Sequence, residues 1–243
     1  MSERTEEADF LLAESKPLLE KIRRLYENDL ERKQLGRKLK REIKTLLGDL
    51  RSVLDYYAVE LYERFVPNPI PRNIYFPISR RGDNLTDFRT RVNNTQIRGL
   101  NAARPDLVDL LASFQEFSDP SRNGWMPDFA TLCNENKHER LTPQNLREEG
   151  AMTINDVITF AGPTGAHGLF KDIVIDKTIF AGLHRIGPGM PRPNPAQIFG
   201  PHTVRETRWT SAIFTDIGLE AMIFLRTAVN GVERIINELK RYL

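Results

Sequence analysis

Apolar residues recur at helical spacing along much of this chain, and the intervals between them divide it into elements. From Phe10 to about Leu30, the residues Leu18, Leu19, Ile22, Leu25 and Tyr26 supply one apolar face, which predicts a first helix. Pro17 falls in this stretch and is expected near a helix start, where a missing N–H is tolerated. A longer stripe runs through Leu35, Leu39, Ile43, Leu46, Leu50, Val53, Leu54, Tyr57, Leu61 and Phe65, mostly in steps of three or four. It predicts a second helix ending near Phe65, with Gly36 as the place where it can break. The short link between the two favours an antiparallel pair.

Pro67, Pro69, Pro71 and Pro77 make Val66 to Asn84 a loop. Within it Tyr75, Phe76, Pro77 and Ile78 read as an apolar plug against the helices. Further helices are expected from Leu85 to about Asn93, from Pro105 to about Phe117, and from Trp125 to Leu141. Past Pro143 the pattern changes. Met152 to Phe160, Phe170 to Leu183 and Val204 to Phe214 are rich in Ile, Val, Thr and Phe, and they read as strands. Two loops, Gly162 to Gly168 and Gly187 to Pro195, separate them. Helix returns from about Leu219 to Tyr242, with Ala221, Met222, Leu225, Val229, Val232, Ile235, Ile236 and Leu239 inward. The expected class is α+β, mainly α: a helical bundle with a small antiparallel sheet before the last helix. It is read as a single domain over 1–243, with a helical core of 7–66, 85–141 and 218–242 and a β-rich insertion over 150–216.

Composition changes this picture little. The chain has 243 residues, 40% hydrophobic and 28% charged, which suits one large globular domain. No run of about 18 apolar residues occurs, so no membrane contact is expected. The N-terminus MSERTEEADF is too acidic for a secretory signal, and the single cysteine, Cys133, excludes an intrachain disulfide; a cytoplasmic location is the expectation.

Charge is more informative where it clusters. The net charge is only +2, yet Arg32 to Lys44 carries Arg32, Lys33, Arg37, Lys38, Lys40, Arg41 and Lys44 against Glu42 alone. Arg37, Lys40, Arg41 and Lys44 are candidate nucleic-acid-binding residues; the alternative is a solvated helix face. The second cluster ends the Trp125 helix. Trp125, Phe129, Leu132 and Cys133 form its buried stripe, and Asn134, Lys137, His138 and Arg140 gather at its end. Asn134 and His138 are four apart and share a face. A neutral imidazole can take a proton from a ribose hydroxyl, and a cation can steady a phosphate. The same residues could instead pin the helix end to its neighbours.

Other chemistry is weakly signalled. His138, His167, His184 and His202 lack metal-ligand spacing, so neither a metal nor a cofactor is expected. The Gly162 loop lacks the Gly-Lys-Ser/Thr ending of a phosphate loop and reads as a turn. Trp209, beside Arg205 and Arg208, can stack on a base or pack on a sheet.

The order of motifs resembles a group of uncharacterised bacterial proteins with a HEPN-like helical core. A segment like RSxLDxxAxEL is matched by Arg51, Ser52, Leu54, Asp55, Ala58, Glu60 and Leu61. An FPI tripeptide is matched by Phe76, Pro77 and Ile78, and an NxxKHR-type helix end by Asn134, Lys137, His138 and Arg140. HEPN ribonucleases carry an arginine, a polar residue and a histidine. Here the polar residue and histidine are kept, while Cys133 stands in the arginine's place. The resemblance implies a module with a degenerate catalytic motif that binds RNA, a nucleotide or a protein partner, and it implies a homodimer. Two alternatives stay open. One is a metal-independent ribonuclease of toxin or phage-defence type, with His138 as base, Asn134 orienting it and Lys137 or Arg140 at the phosphate. The other is a structural dimer without ligand.

Overall fold

The structure, a computed structural model, describes residues 2–70, 73–138, 144–154, 158–163, 179–181, 184–186, 204–214 and 218–243. They form two compact units, 1–145 with 213–243 and 146–212.

The first unit is helical, and the mainly α class is what the chain adopts. Helix α1 spans Glu3–Glu31 and α2 spans Arg37–Phe65. The first begins well before the expected Phe10. Ser2 caps it, its side chain accepting from the Thr5 N–H, and Glu3 and Glu6 favour the positive end of the helix dipole. Pro17 therefore lies inside the helix rather than near its start. Pro17 and Ala13 are both exposed, so the carbonyl that loses its partner can be solvated. Gly36 does mark the break, as the N-cap of α2, and its N–H reaches Asp29 Oδ2 at 2.7 Å.

Contacts far apart in sequence show that α1 and α2 run antiparallel. Ser2 Oγ donates to Glu60 Oε2 at 2.6 Å, Tyr57 Oη to Asp9 Oδ1 at 3.0 Å, and Lys21 Nζ meets Glu42 Oε2 at 2.8 Å. Burial, then the Asp9 carboxylate, push the Tyr57 phenol well above its ordinary range. Leu39, Ile43, Leu46, Leu50, Val53, Leu54 and Leu61 are fully or almost fully buried along α2, as their spacing predicts.

The loop after α2 docks through two of the motifs read in the sequence. Arg51 and Asp55 form a two-point ion pair at 2.9 and 3.1 Å. Together they grip the backbone of Phe76: its N–H donates to Asp55 Oδ1 at 2.8 Å, and its carbonyl accepts from Arg51 Nη2 at 3.2 Å. Phe76 and Ile78 are buried as the plug reading expects, whereas Tyr75 is 44% exposed. The clamp requires an extended backbone there, and extended residues alternate in direction.

Helix α3 covers Leu85–Arg91 behind a capping box of Asn84 and Asp87, and a π-helical turn, Val92–Gln96, completes the expected Asn93 helix. A single turn, α4 (Leu100–Ala103), precedes α5, Pro105–Ser113. The latter stops before the expected Phe117, because Gln115 and Asn123 there serve a buried amide network. Gln115 Oε1 accepts from the Ser79 N–H at 2.8 Å, and its Nε2 donates to the carbonyls of Pro77 and Leu111. Asn123, on the one-turn helix α6 (Pro120–Asn123), donates to the carbonyls of Ser113 and Gln115 and accepts from Arg234 Nη2 at 2.6 Å.

Helix α7 spans Trp125–His138 and α8 spans Ala221–Leu239. Glu220 caps α8, accepting from the N–H groups of Met222 and Ile223 and from Tyr26 Oη. Lys16 with Glu233 and Lys240 with Asp9 tie α8 to α1, each at 2.7 Å. Among the described residues no helix is long and apolar enough to cross a membrane.

The strands fall mostly in the second unit: β1 (Gln144–Ile154) pairs antiparallel with β2 (Ile158–Pro163), with Met152 opposite Phe160. Strand β3 (Ile179–Ala181) pairs antiparallel with β4 (His184–Ile186), and β5 runs Val204–Phe214. Residues 164–178 and 187–203, with most of both predicted loops and His167 and His202, lie outside the described residues.

Candidate functional site

Two places in the helical unit concern the predicted site residues. The first is the N-terminal half of α2. Arg37, Lys40, Arg41 and Lys44 follow one another at i, i+3, i+4 and i+7, so they share a face. Arg37, Lys38 and Arg41 are exposed, while Lys40 and Lys44 are half-buried. Half-burial of a lysine covers its stem and leaves the ammonium at the surface. Among the described residues none of these five has a carboxylate partner. Several cations elsewhere are engaged: Arg23 by Glu20 and Glu27, Arg4 by Glu63, Arg81 by Glu116 and Asp128. Glu42, the only acid in the run, turns to the other side and serves Lys21.

The charges also oppose their own helix. The first turn of α2 holds no acidic residue, and Gly36 offers it no side-chain cap. Cations at a helix N-terminus typically cost about 0.3–1 kcal/mol each when exposed. The Asp29 carboxylate on the Gly36 N–H offsets part of this charge, and the cations beyond it form a positive face that suits an anion.

The second place is α7. Trp125, Phe129, Leu132 and Cys133 are buried as predicted, and Trp125 meets Phe129 edge-on with ring centroids 5.6 Å apart. Cys133 Sγ lies 3.5 Å from the Leu47 carbonyl and donates to it, joining α7 to α2. Asn134, one residue on, is exposed. Lys137 and His138 belong to the last turn of α7, but their side chains lie outside the described residues, as does Arg140. The expected meeting of Asn134 and His138 therefore lies outside them too.

Asn134 borders a cavity of about 330 Å³ between α7, the loop at 78–81 and the π-turn. Its wall includes Ser79, Arg80, Arg81, Gln96 and Asp128. Arg81 bridges Glu116 at 2.5 Å and Asp128 at 2.8 Å; these carboxylates, Asp128 first, hold its guanidinium above its ordinary pKa. Arg91, also on the wall, is held by Asp83 at 2.5 Å and donates to the Ile78 carbonyl. Arg80 is exposed; its backbone N–H donates to Asp83 Oδ2 at 2.6 Å, and its guanidinium has no carboxylate partner among the described residues. Sequence reading missed this cavity. Its only linear trace is the Arg80-Arg81 pair after the FPI segment, and Gln96 joins it solely through the fold.

Among the described residues no group of three or more His, Cys, Asp or Glu side chains could hold a metal ion. Compared with family models, with curated proteins and with solved structures, the chain matches none of them.

Proposed function

We propose that this chain is an RNA-binding module that contacts the phosphate backbone through α2, and that its HEPN-like motif is degenerate. One observation carries the reading: Arg37, Lys38, Lys40, Arg41 and Lys44 stand at the start of one helix with no carboxylate partner among the described residues, in a chain whose net charge is only +2. Local electrostatics disfavour that arrangement, and local rules are most often broken where a surface has a task. The buried Cys133 supports the degenerate motif. It occupies the family's arginine position and is committed to the Leu47 carbonyl. The homodimer is part of the proposal, and sedimentation of the intact chain tests it.

Anisotropy of labelled single-stranded RNA over a salt series tests the binding. A contact through four cations gives a log–log salt slope of about −3, since single strands lose about 0.7 per phosphate neutralised. Replacing Arg37, Lys40, Arg41 and Lys44 together by Gln should flatten the slope and weaken binding at matched stability. Equal binding by that variant, or no binding at low salt, removes the proposal.

A second reading, metal-independent ribonuclease, has one observation in its favour: Asn134 is exposed beside a polar cavity rather than tied into the core. RNA cleavage without divalent metal, by wild type and not by His138→Ala, would establish it over the first.

A further inference from the structure

The cavity beside α7 contains something the α2 surface does not: buried polar atoms without partners. Ser79 is 2% exposed, and its Oγ has no hydrogen-bond partner among the described residues. Gln96 Oε1 is also buried and unpartnered among the described residues. Both residues line the cavity. Buried polar atoms are almost always paired, so two orphans on one wall point to a ligand that completes them. The Ser79 backbone is fixed independently, its N–H held by Gln115 Oε1 at 2.8 Å, which leaves the hydroxyl only its own rotation.

The remaining wall narrows the chemistry. Arg81 and Arg91 are neutralised by Asp128, Glu116 and Asp83, which makes them a rigid frame. Arg80 is left to meet an anion, with Asn134 as a further hydrogen-bonding group. Ile78, Pro127 and Ala130 are the apolar residues of the lining. A volume of about 330 Å³ exceeds what a bare phosphate fills and lies at the small end of organic-ligand sites. We infer that this cavity binds a nucleoside monophosphate, free or as the terminal nucleotide of an RNA. The phosphate meets Arg80, a ribose hydroxyl meets Ser79 Oγ, and a base N–H donates to Gln96 Oε1. The inference goes beyond the α2 surface and uses none of its residues.

Calorimetric titration of the full chain with AMP, CMP, GMP, UMP and inorganic phosphate tests it. Ser79→Ala and Arg80→Ala are the variants, because each removes a side-chain group without a partner among the described residues and should leave the melting temperature unchanged. At least one nucleotide should saturate at one per chain and bind about tenfold more tightly than phosphate, and each variant should weaken it about tenfold. A 5′-phosphorylated RNA pentamer run beside the free nucleotides tells which source the site prefers; tight binding of either supports the site. No saturation by any nucleotide or by the pentamer, equal binding of inorganic phosphate, or unaltered binding by both variants overturns it. The α2 variant with four Gln replacements should bind the nucleotide like wild type, so failure of this site and failure of the α2 interface are separable.

Discussion

Gly231 on α8 lies directly against the indole of Trp125 on α7: a Cβ added to the glycine would sit 2.3 Å from Trp125 Cζ2 and 2.5 Å from Cε2. These distances allow no side chain at 231 unless the ring moves. Trp125 is almost fully buried against Phe129, so it has little room to do so.

Gly231→Ala therefore sets two effects against each other. Alanine in a helix interior gains about 1 kcal/mol over glycine. Overpacking a filled core typically costs about 1–3 kcal/mol, and the rigid ring places this site at the upper end. A net loss of stability is expected in chemical denaturation. Gly48, whose added Cβ would meet nothing within 4 Å, is the control, and Gly48→Ala should stabilise.

Gln115 is completely buried, and all of its amide groups are in use. Gln115→Leu keeps an apolar side chain in the space but strands the Ser79 N–H and the Pro77 carbonyl. Each stranded group costs about 1–3 kcal/mol. The variant should melt lower and should lose amide-exchange protection first at Ser79, because that N–H is held by the Gln115 side chain.

Tyr26 and Glu220 join α1 to the start of α8, their oxygens 2.5 Å apart. Glu220 also caps two N–H groups. Glu220→Ala should cost about 1–2 kcal/mol as a lost cap. A double-mutant cycle with Tyr26→Phe should show a coupling of about 0.5–3 kcal/mol. Additive losses would mean that the cap alone matters.

Asp49 is half-buried, and burial raises its pKa above the ordinary 3.8. A carboxyl with a raised folded pKa binds its proton more tightly when folded. Its contribution to stability is therefore present below 3.8 and is lost as pH rises through the folded value. Asp49→Asn should raise the melting temperature modestly at pH 7, and the advantage should disappear on acidification to about pH 3. An equal difference at both pH values would refute the assignment.

The sequence by itself determined the main helices and their inward faces. The stripes of α2, α7 and α8 are long and periodic, and burying one face of a helix fixes its orientation whatever it packs on. The link at Gly36 was equally legible, since glycine weakens a helix locally. Helix ends were less so. Pro17 argues for a late start to α1, and only the capping by Ser2 and the exposure of the proline reverse it. The roles of the motifs came from tertiary structure alone. Arg51, Asp55 and Phe76 are separate signals along the chain, yet they form one clamp, because hydrogen-bond geometry requires a third dimension. The positive stripe on α2 could be read from charge, but its lack of carboxylate partners among the described residues could not, since partners elsewhere come from distant segments. The cavity beside α7 is the extreme case. Ser79, Gln96 and Asn134 have no shared period or motif, and only the packing of a loop, a π-turn and a helix places them on one wall.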